Sequence, residues 1–190
     1  MNTTGEFVLG KFVETQAQQL HGAGDATRAA RGSFIGQFYS DYFFWVNLLS
    51  MVIQMFLVSR VFKVLGVGGS LFVLPLISLT GYGMLAFVPL LGLVRLTKIL
   101  ENATDYSLMN TTRHALFLPT SREAKYKAKA ATDTFFVRFG DMLQAGLVFA
   151  GTQLAFSIRQ FAITNALFVL VWLGVAVAIY REHKRISREA

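Results

Sequence analysis

The sequence predicts an all-α fold, a polytopic membrane helical bundle, and three observations predict it. Of 190 residues, 54% are hydrophobic and only 15% charged, and the mean hydropathy is +0.48, well outside the balance of soluble domains. Apolar stretches close to the roughly 20 residues of a membrane crossing recur along the chain. The excess of Lys and Arg, which sets the net charge of +7, sits between those stretches or after the last one, as at the cytoplasmic edges of membrane helices. That distribution excludes nucleic acid as the expected partner.

The first apolar segment, QFYSDYFFWVNLLSMVIQMFLVSRVF, covers about 37 to 62, and the second, GGSLFVLPLISLTGYGMLAFVPL, about 68 to 90. A third begins near Leu91 and must run on into a charged stretch, because a helix ending at Leu96 is too short to cross. The fourth covers about 136 to 156 and the fifth 161 to 180. Basic flanks after the first (Arg60, Lys63), third (Arg122, Lys125, Lys127, Lys129) and fifth (Arg181, Lys184, Arg185, Arg188) put those ends and the C-terminus in the cytoplasm. Residues 36–180 then form a five-helix transmembrane region and 181–190 a basic cytoplasmic tail. Residues 13 to 35 fall outside, and GEFVLGKFV before them reads as the last turns of a truncated transmembrane helix, so that 1–35 is helix end plus external loop.

At about 100° per residue, Arg95, Lys98, Asn102, Tyr106, Met109 and Arg113 form a stripe about 80° wide over some five turns of the third helix. Glu101 and Asp105 border it. A charge at bilayer centre costs about 2.5–3.5 kcal/mol on insertion scales, so the stripe is expected to face a bundle interior. There Arg95, Lys98 and Arg113 suit recognition of an anionic small molecule, Asn102 and Tyr106 its orientation, and Glu101 and Asp105 coupling or gating. In the alternative arrangement Arg95 and Arg113 snorkel to opposite surfaces and Lys98 to Asp105 is an internally paired network.

Asn47, Ser50 and Gln54 share a face suited to bonding a neighbouring helix. Asp133 precedes the fourth segment, and Arg138 and Asp141, three apart, suit an ion pair that latches helices or anchors them at the interface. The basic run around Lys125 to Lys129 suits contact with membrane lipids, or an inner vestibule that concentrates anions. No Cys is present, which removes thiol chemistry. The three His, at 21, 114 and 183, are too scattered for a metal site. GVGGS lacks the GxxxxGK[ST] frame of a phosphate loop. No enzyme chemistry, metal or cofactor is therefore expected.

The stretch KILENATDYSLMNTTRHALFLPTSREAKYKAKAATD, continuing through Val137, Arg138, Phe139, Gly140 and Asp141, resembles the ATP/ADP translocase family of nucleotide transporters, within the broad major facilitator superfamily. The resemblance implies the C-terminal half of a twelve-helix carrier, in which the first segment is the eighth crossing and the charged one the tenth. It also implies a bacterial inner-membrane location, a nucleotide as the anionic substrate, and an N-terminal carrier half as partner. Tyr106 and Ser107 match a YS pair of the family, Arg113 and His114 its charged pair before Pro119, and Lys125 to Lys129 its basic run. His114 stands where the exchangers typically carry an acid. The expected function is secondary transport by alternating access, exchanging nucleotides such as ATP and ADP. The alternatives are proton-coupled carriage of another organic anion and a non-transporting membrane binding module.

Overall fold

A buried face of Leu9, Val13 and Ala17 at four-residue spacing carries α1 from Asn2 to His21 in the computed structural model. Helix therefore replaces most of the loop expected over 13 to 35, because a second helix begins at Arg28. The structure describes residues 2–22, 24 and 27–189, with side chains described for all of these except residues 2, 122, 124, 133, 188 and 189.

The remaining regular structure among the described residues is also helical: α2 (Arg28–Val52), α3 (Val58–Ser70), α4 (Val73–Phe87), α5 (Leu91–Thr104), α6 (Asn110–Ala115), α7 (Arg122–Ala131), α8 (Val137–Gln153) and α9 (Ile158–Glu189). Three one-turn π segments, Ile53–Leu57, Asp105–Met109 and Thr132–Phe136, join α2 to α3, α5 to α6 and α7 to α8 without interrupting the rods. Each π turn adds a residue to the turn and rotates everything beyond it.

The breaks have local causes. Gly66, at φ 73° and ψ 170°, kinks α3 before the turn into α4. Pro89 forces Val88 out of the helical region, to φ −130° and ψ 86°, and α4 stops there. At the start of α9 a reciprocal cap closes: Ser157 N–H donates to Gln160 Oε1 at 2.7 Å and Gln160 N–H to Ser157 Oγ at 3.3 Å.

Helix α1 sits centrally, packed against α2, α5, α8 and α9, while α4 packs on α5 and α9. Val8, Leu9, Val46, Leu85, Val94, Phe161 and Val169 close the main core among α1, α2, α4, α5 and α9. Close approach is set by small residues: a Cβ on Gly81 would lie 2.1 Å from Thr97 Cγ2, and one on Gly68 2.8 Å from the Tyr180 ring. The segments that follow the third and fifth expected crossings meet at one end, where His114, Lys129, Glu182 and His183 surround a common cavity.

Two helices, Arg28–Ser70 and Ile158–Ser187, are long and apolar enough to cross a membrane, and Val73–Phe87 is apolar but shorter. Their outward faces expose large hydrophobic side chains, among them Phe43, Phe44, Trp45, Met55 and Phe56 on the first rod and Phe168, Leu170 and Val171 on α9.

Candidate functional site

The charged third segment folds as expected into one continuous rod over 91–115, but its buried face is not centred on the stripe. Lys98, Glu101 and Asn102 are 2%, 6% and 4% exposed, whereas Tyr106 is 51% exposed. The buried face lies towards Glu101, so Arg95 and Tyr106 fall at its outer edge. The π turn at Asp105–Met109 then shifts the register assumed for the residues beyond it.

Around Lys98 four helices contribute to one hydrogen-bonded network. Lys98 Nζ lies 3.1 Å from Glu101 Oε2 and 3.6 Å from Glu6 Oε1. Glu101 also accepts from the Ser78 hydroxyl and, at 3.1 Å, from Tyr82 OH. Asn102 Nδ2 donates to Glu6 Oε1 at 3.0 Å and to Tyr42 OH at 2.6 Å, and Tyr42 OH donates to Glu6 at 3.2 Å. Helices α1, α2, α4 and α5 are thus tied through buried polar groups, which is how charges inside an apolar body are held without facing lipid.

The other two cations of the stripe are paired nearer the surface. Arg95 bonds Asp41 of α2 and lies over the Phe38 ring at 5.3 Å. Arg113 Nη2 donates to Asp105 Oδ1 at 2.9 Å, with side chains 52% and 37% exposed. Energies separate these pairs. An exposed pair is worth about 0–1 kcal/mol, while removing one partner of a buried pair costs about 3–5 kcal/mol. Arg113 is therefore the cation that a ligand can take from its carboxylate at little cost, and Lys98 is not.

A cavity of about 390 Å³ brings Lys98, Glu101, Asn102, Asp105 and Arg113 together with Asp141 of α8. Ser78, Gln144 and Trp172 complete its polar and aromatic wall. Arg95, Tyr106 and Arg138 are not on that wall. Arg138 and Asp141 form no ion pair among the described residues, so the i,i+3 latch is not made; Asp141 faces the cavity instead. The side chain of Asp133 lies outside the described residues. Ser50 Oγ donates to the Ala103 carbonyl at 3.4 Å and Thr111 Oγ1 to Gln54 Oε1 at 3.3 Å, so this face of α2 bonds the charged rod, while Asn47 is exposed.

A second, larger cavity of about 590 Å³ shares Asp105, Arg113 and Trp172 with the first and opens among His114, Lys129, Glu182 and His183. Lys129 Nζ is 3.4 Å from His114 Nδ1. Together the two form a passage from the basic end of the molecule to the Lys98 network, with Arg113 and Asp105 at the junction.

Glu6, Asp41, Tyr42, Ser78, Tyr82 and Trp172 were not singled out from sequence. Their signal was weak: isolated polar residues within apolar helices, legible only once the partner helix is known.

The family model described as TLC ATP/ADP transporter matches residues 35–183. The chain belongs to that family. Residues 98–141, which carry the resemblance read from sequence, lie wholly inside the match. The TLC ATP/ADP transporter family is one of transporters and not of enzymes. ADP,ATP carrier protein 1 of Chlamydia pneumoniae is 26% identical over 167 residues, covering 75% of this chain and 32% of that carrier. The protein of the same name from Chlamydia trachomatis serovar D is 25% identical over 166 residues, covering 75% and 31%. The chain spans about a third of the length of these curated relatives. No solved structure matches it.

Proposed function

We propose that this chain forms the C-terminal part of a nucleotide exchanger of the inner membrane, passing ATP and ADP by alternating access between its own helices and an N-terminal half. Membership in a transporter family, with ADP,ATP carriers among the relatives, supports the substrate class. The observation that carries the reading is the Arg113–Asp105 pair at the junction of the two cavities. A polyphosphate entering from the basic end replaces Asp105 on Arg113, and the freed carboxylate repels it onward. That is differential binding of the kind a carrier needs to couple occupancy to opening.

Five crossings fit this picture even where hydropathy alone is modest. In α5 the charges most costly to expose, Lys98 and Glu101, are turned inward, so lipid meets Leu96 and Leu100 instead. The gathering of the third and fifth basic flanks at one end supports a cytoplasmic placement of that end and of the C-terminus, with Lys125 and Lys127 available to anionic lipid headgroups.

The test is uptake of ATP into proteoliposomes preloaded with ADP, using this chain co-expressed with its N-terminal half. Loss of a charged hydrogen bond predicts a fall of about tenfold or more for Arg113→Ala. Undiminished exchange in that variant removes Arg113 from the substrate path, and absence of ADP-dependent uptake in well-folded vesicles rejects nucleotide exchange. A second reading, proton-coupled uptake of another organic anion, is favoured by the excess of acids on the first cavity's wall: Glu101, Asp105 and Asp141 against Lys98 and Arg113. It requires uptake driven by an acidic exterior with no ADP inside.

A further inference from the structure

Beside the charged cavity lies a neutral one of about 290 Å³, between α1, α8 and α9. Gly140, Gln144 and Trp172 line both, so the two share a wall. The remaining lining of the neutral cavity is apolar apart from Thr4 and Asn165. Each of these is 1% exposed, and Thr4 Oγ1 and Asn165 Nδ2 have no hydrogen-bond partner among the described residues. Asn165 is the stronger observation, because it sits in the body of α9, where the backbone carbonyls are already engaged within the helix. A buried amide donor without a partner is costly enough that native structures rarely keep one idle.

The chemistry of this seat narrows what fits it. No Lys or Arg lines it, so it does not suit a phosphate. Its size is at the small end of ligand pockets, about 300 Å³, which suits a fragment of a nucleotide. Donors set in an apolar wall, with the Trp172 and Phe168 rings beside them, suit a flat heteroaromatic ring with acceptor nitrogens.

We propose that this cavity is the nucleobase seat of the carrier site: Asn165 Nδ2 and Thr4 Oγ1 donate to acceptor nitrogens of a purine stacked near Trp172, while the polyphosphate occupies the charged cavity towards Arg113. The proposal rests on the nucleotide-carrier reading above. It assigns base selectivity to α9 and α1 and charge recognition to the α5–α6 rod.

The sequence contains two Trp, of which Trp45 is exposed on α2, so a Trp45→Phe chain reports on Trp172 alone. Titration of the full chain in detergent with adenosine, which has no phosphate, is expected to quench Trp172 saturably, and to do so equally with tripolyphosphate at saturation, because Trp172 lines the charged cavity too and the two ligands occupy different cavities. Asn165→Leu and, separately, Gly140→Leu should weaken the adenosine response at least tenfold. A Cβ at Gly140 meets no atom within 4 Å, so the second variant starts its side chain in open space on the wall that the two cavities share, and an unfolding midpoint equal to that of the unaltered chain shows that the fold is kept. Adenosine quenching unchanged in both variants overturns the seat, as does competition between adenosine and tripolyphosphate for one site. Failure of adenosine to quench in a chain whose vesicles exchange ATP for ADP overturns the seat and leaves the carrier reading standing. Saturable adenosine quenching that both variants lose, in a chain whose vesicles exchange no nucleotide, keeps the seat and removes the exchanger reading.

Discussion

Lys98 reaches Glu6 and Glu101 because Gly5 has no side chain. A Cβ at Gly5 would lie 2.4 Å from Tyr82 OH and 2.9 Å from Lys98 Nζ, so Gly5→Ala has to displace two of the three groups that hold Glu101. Overpacking of this kind costs about 1–3 kcal/mol, and here the displaced atoms are polar and buried. Thermal unfolding in detergent should show Gly5→Ala lowered by several degrees. Gly140→Ala, whose Cβ meets nothing, should be unchanged or slightly raised, since Ala is favoured over Gly in a helix by about 1 kcal/mol. Equal effects would mean that Gly5 acts through helix propensity alone. At this scale the sequence was half legible. Lys98, Glu101, Asn102, Asp105 and Arg113 could be gathered because they share one helix and a single period relates them. Glu6, Tyr42, Ser78 and Tyr82 complete the network from three other helices, and no spacing within the chain relates residues separated by packing.

Helix placement was readable from apolar length, and helix register was not. The rod over 91–115 was expected as one helix and is one, yet Tyr106 is exposed because the true buried face is offset and a π turn follows Thr104. Nothing in DYSLM announces that extra residue. Likewise α1 extends to His21 through polar residues that hydropathy assigns to a loop, since beyond Val13 only Ala17 continues its buried face. Gly66 is a different case: the structure gives it a backbone that side chains disfavour, φ 73° with ψ 170°. No atom lies within 4 Å of a Cβ placed there, so the penalty for Gly66→Ala is conformational, about 1–3 kcal/mol. The expected outcome is a lowered unfolding midpoint that Gly66→Asn does not restore, because Asn tolerates positive φ in the left-handed helical region and not at ψ near 170°. A midpoint equal to that of the unaltered chain would mean that the kink relaxes freely and the α3–α4 turn is not fixed by Gly66.

Across the whole molecule the cations divide by depth, and the division predicts which of them serve folding and which serve flux. Lys98 lies where four helices meet and is 2% exposed; Arg113 lies at the junction of two cavities and is half exposed. Lys98→Met leaves Glu101 and Glu6 buried without that ammonium, a loss of about 3–5 kcal/mol by analogy with other broken buried pairs. Arg113→Ala breaks a pair worth about 0–1 kcal/mol, so its unfolding midpoint should barely move while exchange falls. Pairing Lys98→Met with Glu101→Gln should recover part of the lost stability, because the orphaned charge is removed together with its partner. The three variants therefore separate along two measured axes, midpoint and flux. A Lys98 variant that keeps its midpoint yet loses ATP uptake would reverse the assignment, making the buried network a substrate site that the anion opens. Arg113 would then be a surface pair with no part in transport if its own variant moved neither axis.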